Sequence, residues 1–197
     1  MPELPEVETT CRGIAPHLVG STIRRTLIRQ RRLRWPVPAK LENKIVGKRI
    51  TAVARRAKYL LVTLDDDASL IIHLGMSGSL RLDSPATPPH KHDHIELHLS
   101  NDLCLRYCDP RRFGAWLHVT DDPHQHPLLA NLGPEPLNKA FSSQYLHKRL
   151  EHRKQPIKTL IMDSHLVVGV GNIYANEALF LSGIHPLRLG QSLTADE

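Results

Sequence analysis

The spacing of hydrophobic residues changes twice along the chain, and each change marks a shift in the kind of element expected. Val7, Cys11, Ile14 and Leu18 recur at the three- and four-residue steps of a single helix face, and Gly20 follows as a terminator. Pro5 and Glu6 suit the first turn of that helix, where a missing N–H is harmless and a carboxylate meets the positive end of the dipole. Pro16 is expected to bend or interrupt it. From Thr22 to about Val119 the pattern becomes short β-like runs: Thr22–Arg29, Ile45–Arg56, Tyr59–Leu64, Leu70–Leu74, Ser79–Leu82, His94–Leu99, Leu103–Tyr107 and Ala115–Val119. Ile95, Leu97 and Leu99 recur at every second position, as do Leu103, Leu105 and Tyr107, with Asn101-Asp102 as the turn between them. Eight short strands separated by turn signals predict a sandwich or barrel.

Leu132-Gly133-Pro134-Glu135-Pro136 reads as a linker, and beyond it the helical period returns. Helices are expected over Ser142–Arg153, Ile157–Met162 and Asn172–Ser182, the last closed by Gly183. The fold class is therefore α+β, with a domain over residues 1–131, a linker over 132–136 and a helical domain over 137–197. Thr194-Ala195-Asp196-Glu197 has the form of a capping box, a hydroxyl followed three residues later by Glu. A cap with no helix behind it leads to the expectation that the native chain continues past Glu197.

Composition narrows the classes of function. No apolar run approaches the roughly 20 residues needed to span a bilayer, and the acidic start is unlike a signal peptide. Three cysteines, Cys11, Cys104 and Cys108, make no disulfide framework, so a reducing cytoplasm is the expected compartment. The net charge of +6 is unevenly spread: thirteen of the 26 Lys and Arg residues fall between Arg24 and Lys58, with Glu42 the one acid among them. Such clustering is the electrostatic footprint of a polyanion binder. Because the bases are interleaved with strand-like alternation, nucleic acid is expected ahead of a membrane surface.

Candidate chemistry begins at Met1-Pro2-Glu3. A small second residue allows removal of Met1, which exposes the ring nitrogen of Pro2 as a secondary amine. An α-amino group titrates near about 7.7–8.0, so part of it is unprotonated at neutral pH. Such an amine attacks carbonyl-like carbons, and a secondary amine yields only a cationic iminium, a strong electron sink. Glu3 is the adjacent candidate acid/base.

Four further segments stand out. Arg55-Arg56-Ala57-Lys58-Tyr59-Leu60 places a cation at the start of a strand. In His73-Leu74-Gly75-Met76-Ser77-Gly78, two glycines bracket a flexible apolar side chain. Asp109-Pro110-Arg111-Arg112-Phe113-Gly114 is a turn with two guanidiniums and an aromatic ring. An exposed Met or Phe beside Arg is how proteins wedge open base steps. Gly169-Val170-Gly171-Asn172-Ile173-Tyr174 opens a helix, as phosphate-cradling turns do.

Together with Pro2-Glu3-Leu4-Pro5-Glu6-Val7-Glu8-Thr9, these segments closely resemble the formamidopyrimidine-DNA glycosylase family, in the family's order. Leu4 and Val7-Glu8-Thr9 look like this branch rather than the related endonuclease VIII branch, which acts on oxidised pyrimidines. The resemblance implies an N-terminal helix plus an eight-stranded β-sandwich, then a helical domain with a helix–two-turn–helix element. It also implies a bifunctional glycosylase and abasic-site lyase that removes oxidised purines such as 8-oxoguanine and formamidopyrimidines. Pro2 is then the nucleophile at C1′ and Glu3 the acid/base, with Lys58 also at the catalytic centre, and Glu6 orders the pocket. Lys58, His73, Lys158 and Asn172 hold phosphates, while Met76, Arg111 and Phe113 fill the hole left by the flipped base, Arg111 facing the orphaned cytosine. The implied partner is double-stranded DNA carrying oxidised purines or abasic sites, bound by a monomer.

The chain departs from the family at one point. Family members end in a zinc finger of four cysteines in two pairs, and residues 1–197 contain no such finger, so no cofactor and no metal is expected within them. Cys104 and Cys108 are read as structural, and His90, His92, His94 and His98 as ordinary sandwich residues. The absent segment also carries much of the loop that reads the oxidised base. Two alternatives follow: a DNA-binding fragment with lost or reduced chemistry, or a glycosylase for oxidised pyrimidines.

Overall fold

A computed structural model describes residues 2–197, which fall into two compact units, one ending at His126 and one spanning Pro127–Glu197. In the first unit the helix α1 (Leu4–Leu18) leads into the strands β1 (Ile23–Ile28), β2 (Ile50–Arg56), β3 (Tyr59–Leu64), β4 (Ser69–His73), β5 (Ser79–Asp83), β6 (Asp93–Leu99), β7 (Cys104–Cys108) and β8 (Ala115–Val119). Two four-stranded sheets result, ordered β1-β6-β7-β5 and β2-β3-β4-β8, with every pairing antiparallel. The alternation anticipated for β6 and β7 is real. Ile95, Leu97, Leu99, Leu105 and Tyr107 enter the core, while Glu96 and Arg106 pair across the two strands from the interleaved positions.

The α1 stripe packs on the second sheet, and Val7, Cys11, Ile14 and Leu18 join the same buried cluster as Leu60, Val62, Leu70 and Trp116. Pro16 does not interrupt the helix. It lies in the last turn, and the chain leaves the helix at Val19, whose N–H donates to the Ala15 carbonyl at 3.0 Å. A proline so near the end removes one hydrogen bond without requiring further turns to continue past it.

The strand expected from Ile45 begins at Ile50, because residues Leu41–Ile45 form a short helix, α2. Leu41 and Ile45 are four residues apart and both fully buried, which is a helical pairing, and Gly47 at φ +85° turns the chain out toward β2.

The second unit is helical: α3 (Ser143–Leu150), α4 (Ile157–Ile161) and α5 (Asn172–Leu181). Ser142 caps α3 by accepting the Tyr145 N–H at 3.1 Å. Leu150, Ile157, Leu160, Ile161, Leu166, Ala175, Leu179 and Ile184 form its own core. The Gly133–Pro134 stretch is tied to this unit, since Gly133 N–H donates to Ser164 and Pro134 accepts from Val168 N–H. Thr194 donates its N–H to the Glu197 carboxylate at 3.0 Å, half of the reciprocal pair of a capping box. Among the described residues no helix is long and apolar enough to cross a membrane.

Anchoring of α1 is testable at Leu18, which is fully buried. Leu18→Ala is expected to cost about 2–5 kcal/mol of stability, read as a lower urea midpoint for the sandwich unit. A loss below about 1 kcal/mol, the scale of a tolerated core swap, would show that this helix is not held by its apolar face.

Candidate active site

Two features position the first residues. Glu3 is the cap of α1 and only 2% exposed, and its N–H donates to the Glu6 carboxylate at 2.8 Å, three residues into the helix. The half-buried Pro2 therefore leads directly into a fixed helix start. Further along α1, Glu8 accepts from the Arg55 Nε at 2.6 Å, and the same guanidinium donates to the Ala57 carbonyl at 3.0 Å. Arg55 thus ties the helix to the tight turn between β2 and β3. Arg55, and then Arg12, hold the Glu8 carboxyl below its usual range.

That turn carries Lys58. Arg56 pairs with Tyr59, so Ala57 and Lys58 form a two-residue hairpin loop, and Lys58 sits in the turn just before β3 rather than in the strand. Ala57 adopts φ +53°, a left-handed conformation that a non-glycine residue holds only when its surroundings impose it. Burial draws the Lys58 ammonium below its ordinary value, while the charges of Glu3 and then Glu6 oppose that shift. Pro2, Glu3, Glu6 and Lys58 thus share one end of α1. A buried carboxylate beside a partly desolvated cation makes a site suited to acid/base work.

His73 closes β4, where its Nδ1 accepts the Gly75 N–H at 3.0 Å. The proton therefore sits on Nε2. Burial first, then the charges of Arg34 and Lys58, lower the His73 pKa to about 4, so the ring is a neutral donor at physiological pH. It lines a cavity of about 340 Å³ with Arg34, Gly75, Met76 and Phe113. Met76 and Phe113 are each 42% exposed, and the Arg111 guanidinium lies 4.8 Å from the centre of the Phe113 ring. These apolar side chains face outward, as a wedge requires and a core does not.

Lys158 on α4 and Asn172, the first residue of α5, belong to the helical unit, where both line one cavity of about 570 Å³ with Gln155, Thr159 and Asp163. Gly171 is the cap of α5, and Gly169 has φ +84°, so the turn presents Asn172 at a helix start.

Two residues were not singled out by sequence reasoning. Arg34 shares the cavity of His73 and Met76, and its signal was its place in the run Arg31-Arg32-Leu33-Arg34-Trp35. Asp109, fully buried, accepts from the Tyr107 hydroxyl and the Gly114 N–H, each at 2.9 Å. A carboxylate opening a turn next to proline was its signal.

The zinc implied by the family resemblance does not fit the cysteines present. Cys11 lies on α1, while Cys104 and Cys108 stand at opposite ends of β7, about 13 Å apart at the rise of a strand. Among the described residues Glu96, His98 and Cys104 do approach one another within 4.8 Å. The Glu96 carboxylate is already engaged by Arg29 at 2.7 Å, and Arg106 lies 3.9 Å away. Two guanidiniums place positive charge where a cation would have to sit. His94 bonds instead to the Asp109 carbonyl, and no shared centre joins it to His98.

The model of the formamidopyrimidine-DNA glycosylase N-terminal domain matches residues 1–116, and that of the formamidopyrimidine-DNA glycosylase H2TH domain matches residues 132–197. The chain belongs to the formamidopyrimidine-DNA glycosylase family. It is 59% identical to the formamidopyrimidine-DNA glycosylase of Methylococcus capsulatus over 188 residues, 95% of this chain and 69% of that relative. Among solved structures it is similar to the Lactococcus lactis enzyme bound non-covalently to DNA containing an abasic site, with TM-score 0.91, 35% identity and coverage of 98% of this chain and 75% of the other. It is equally similar to a mutant of that enzyme in complex with DNA containing a formamidopyrimidine lesion, with TM-score 0.92, 36% identity and coverage of 99% and 72%.

The His73 assignment carries a pH prediction. Its folded pKa lies below the unfolded value of about 6.5, so its contribution to stability is complete above pH 6.5 and is lost as pH falls toward 4. NMR titration is expected to show the His73 ring neutral at pH 6, with Nε2 protonated. A midpoint near 6.5 would show that the ring is solvated.

Proposed function

We propose that the chain is a base-excision-repair DNA glycosylase with abasic-site lyase activity on oxidised purines, using the Pro2 amine freed by removal of Met1. The observation that carries this reading is the placement of Pro2 immediately before a buried Glu3, with the desolvated Lys58 responding to both Glu3 and Glu6. Membership of the family and the DNA complexes of its Lactococcus lactis member support it.

The chemistry follows from the amine. Extrusion of the damaged nucleotide exposes C1′, which the stack otherwise shields. The Pro2 lone pair forms the N–C1′ bond as the glycosidic bond breaks, and the base leaves with the bonding pair and takes up a proton. The C1′–O4′ bond then opens to the iminium, with Glu3 delivering the proton to O4′. Because the iminium withdraws electrons, a proton is lost from C2′ as the 3′ phosphate departs. A proton lost further along the opened sugar then expels the 5′ phosphate. Water releases the enzyme amine. Glu6 holds the helix start in register for these steps.

Binding uses the remaining residues. Lys58, the neutral Nε2–H of His73, Lys158 and Asn172 hold phosphates around the extruded nucleotide. Met76, Phe113 and Arg111 occupy the gap, with Arg111 facing the orphaned base. The protein acts as a monomer on double-stranded DNA in the bacterial cytoplasm.

Borohydride trapping on abasic-site DNA tests the reading: a covalent adduct is expected, and Pro2→Gly is expected to abolish it. DNA binding without any adduct would favour a binding fragment instead. Lys58→Ala is expected to reduce the slope of log affinity against log salt by about 1. An unchanged slope would remove Lys58 from the phosphate contacts.

A further inference from the structure

The three exposed gap-filling side chains stand on two separate turns, one carrying Met76 and the other Arg111 and Phe113. A single polar chain joins these turns. The Ser77 hydroxyl donates to Asp109 Oδ1 at 2.6 Å and accepts the backbone N–H of Arg111 at 3.1 Å. The other carboxylate oxygen, Asp109 Oδ2, accepts from Tyr107 and Gly114, while the Asp109 carbonyl accepts from His94 Nε2 at 2.8 Å and from the Arg112 N–H at 3.1 Å. Burial, then the charge of Asp109, pushes the Tyr107 phenol well above its ordinary value, so it remains a donor.

The backbones of the two turns also meet directly. A Cβ on Gly75, which has φ +67°, would lie 2.4 Å from the Phe113 carbonyl carbon, so no side chain could separate them there. Arg112 is held at φ +58°, left-handed for a residue with a side chain. Such a conformation persists only where the surroundings over-determine it. The Ser77 tie supplies one of those constraints on the residue immediately before Arg112.

We propose that Ser77 is a specificity-determining positioning residue: its hydroxyl couples the buried Asp109 carboxylate to the main chain of Arg111 and so sets where that guanidinium meets the base opposite the lesion. A hydroxyl bound to a carboxylate is polarised, which strengthens its oxygen as an acceptor for the Arg111 N–H. Without it, the strained turn can relax to other arrangements and Arg111 loses its fixed approach. The inference rests on the glycosylase reading above for its consequence, though not for the tie itself.

The test uses Ser77→Ala and Ser77→Thr, the second keeping the hydroxyl. Single-turnover excision of 8-oxoguanine opposite cytosine and opposite adenine gives the opposite-base ratio, and borohydride trapping on abasic DNA reports the amine chemistry alone. Ser77→Ala is expected to lower the ratio roughly fivefold, the scale of one hydrogen bond, with trapping unchanged. Ser77→Thr is expected to restore the ratio. An unchanged ratio in Ser77→Ala, or an equal loss of trapping and of excision opposite both bases, would overturn the proposal. Amide hydrogen exchange at Arg111 provides an arm independent of activity: it is expected to accelerate in Ser77→Ala and to recover in Ser77→Thr, and unchanged exchange would also overturn the tie. Absence of any adduct with the unaltered protein would instead count against the glycosylase reading, leaving the exchange result to decide the role of Ser77.

Discussion

Burial of the α1 stripe against the β2-β3-β4-β8 sheet fixes the start of that helix, and the proposed chemistry depends on where the helix starts. Each of Val7, Ile14 and Leu18 contributes about 1.5–3 kcal/mol on leaving water, against about 1–2 kcal/mol for fixing one residue's backbone. The docked helix can therefore hold its own first turn. Glu6 accepts the N–H of Glu3 at the helix start, and Arg55 ties Glu8 to the Ala57-Lys58 turn. Pro2, so near the start of the chain, would ordinarily be among the least ordered residues of a protein. Here the residue beside it is buried, capped and tied through α1 to the hairpin that presents Lys58.

The basic residues fall into two groups with different fates. On the outer face of the β1-β6-β7-β5 sheet, Arg29, Glu96, Arg106, Asp83, Arg81 and Asp93 follow one another in alternating sign, linked by contacts of 2.7 to 3.9 Å and by a short Arg81–Asp93 pair. Glu96, Arg106 and Asp93 are nearly fully buried, so each charge there requires its neighbours. The Arg24–Lys58 run looked uncompensated in sequence, yet Arg24, Arg29, Arg31, Lys48 and Arg55 each pair with an acid. Four of those partners, Asp102, Glu96, Asp66 and Glu8, lie outside the run. The charge offered to a polyanion is smaller than the count implies. Arg34, by contrast, stacks over Trp35 and lines the His73 cavity, so its placement, rather than its membership of a cluster, makes it a candidate contact.

Two glycines and one carboxylate give the turns that carry Met76 and Phe113 their form. Gly75 and Gly114 permit approaches that a Cβ would block, at 2.4 Å from Phe113 and 1.7 Å from the Tyr107 hydroxyl. Asp109 gathers donors from Ser77, Tyr107 and Gly114 around a single buried charge. Apolar tips can then remain exposed without collapsing onto the surface, because the backbone beneath them is already satisfied.

Most of the elements, and the order in which they follow one another, were legible in the chain alone. Helical and strand periods are local properties, set by 3.6- and two-residue geometry, so α1, the alternation in β6 and β7 and the helices after residue 142 could be read directly. Pro2, Glu3, Lys58, Met76, Arg111 and Phe113 stood out as candidates through their residue types and motif company. Helix α2 was not, because a five-residue element offers only the single pair Leu41 and Ile45 to show its period. Nor could sequence show that His73 is neutral, that Arg34 joins its cavity, or that Ser77 and Asp109 bind two turns together. Those properties depend on burial and on hydrogen bonds between residues up to 34 positions apart. Hydrophobic patterning is written into neighbouring residues, whereas desolvation and hydrogen-bond partnership exist only once the folded chain has brought distant groups together.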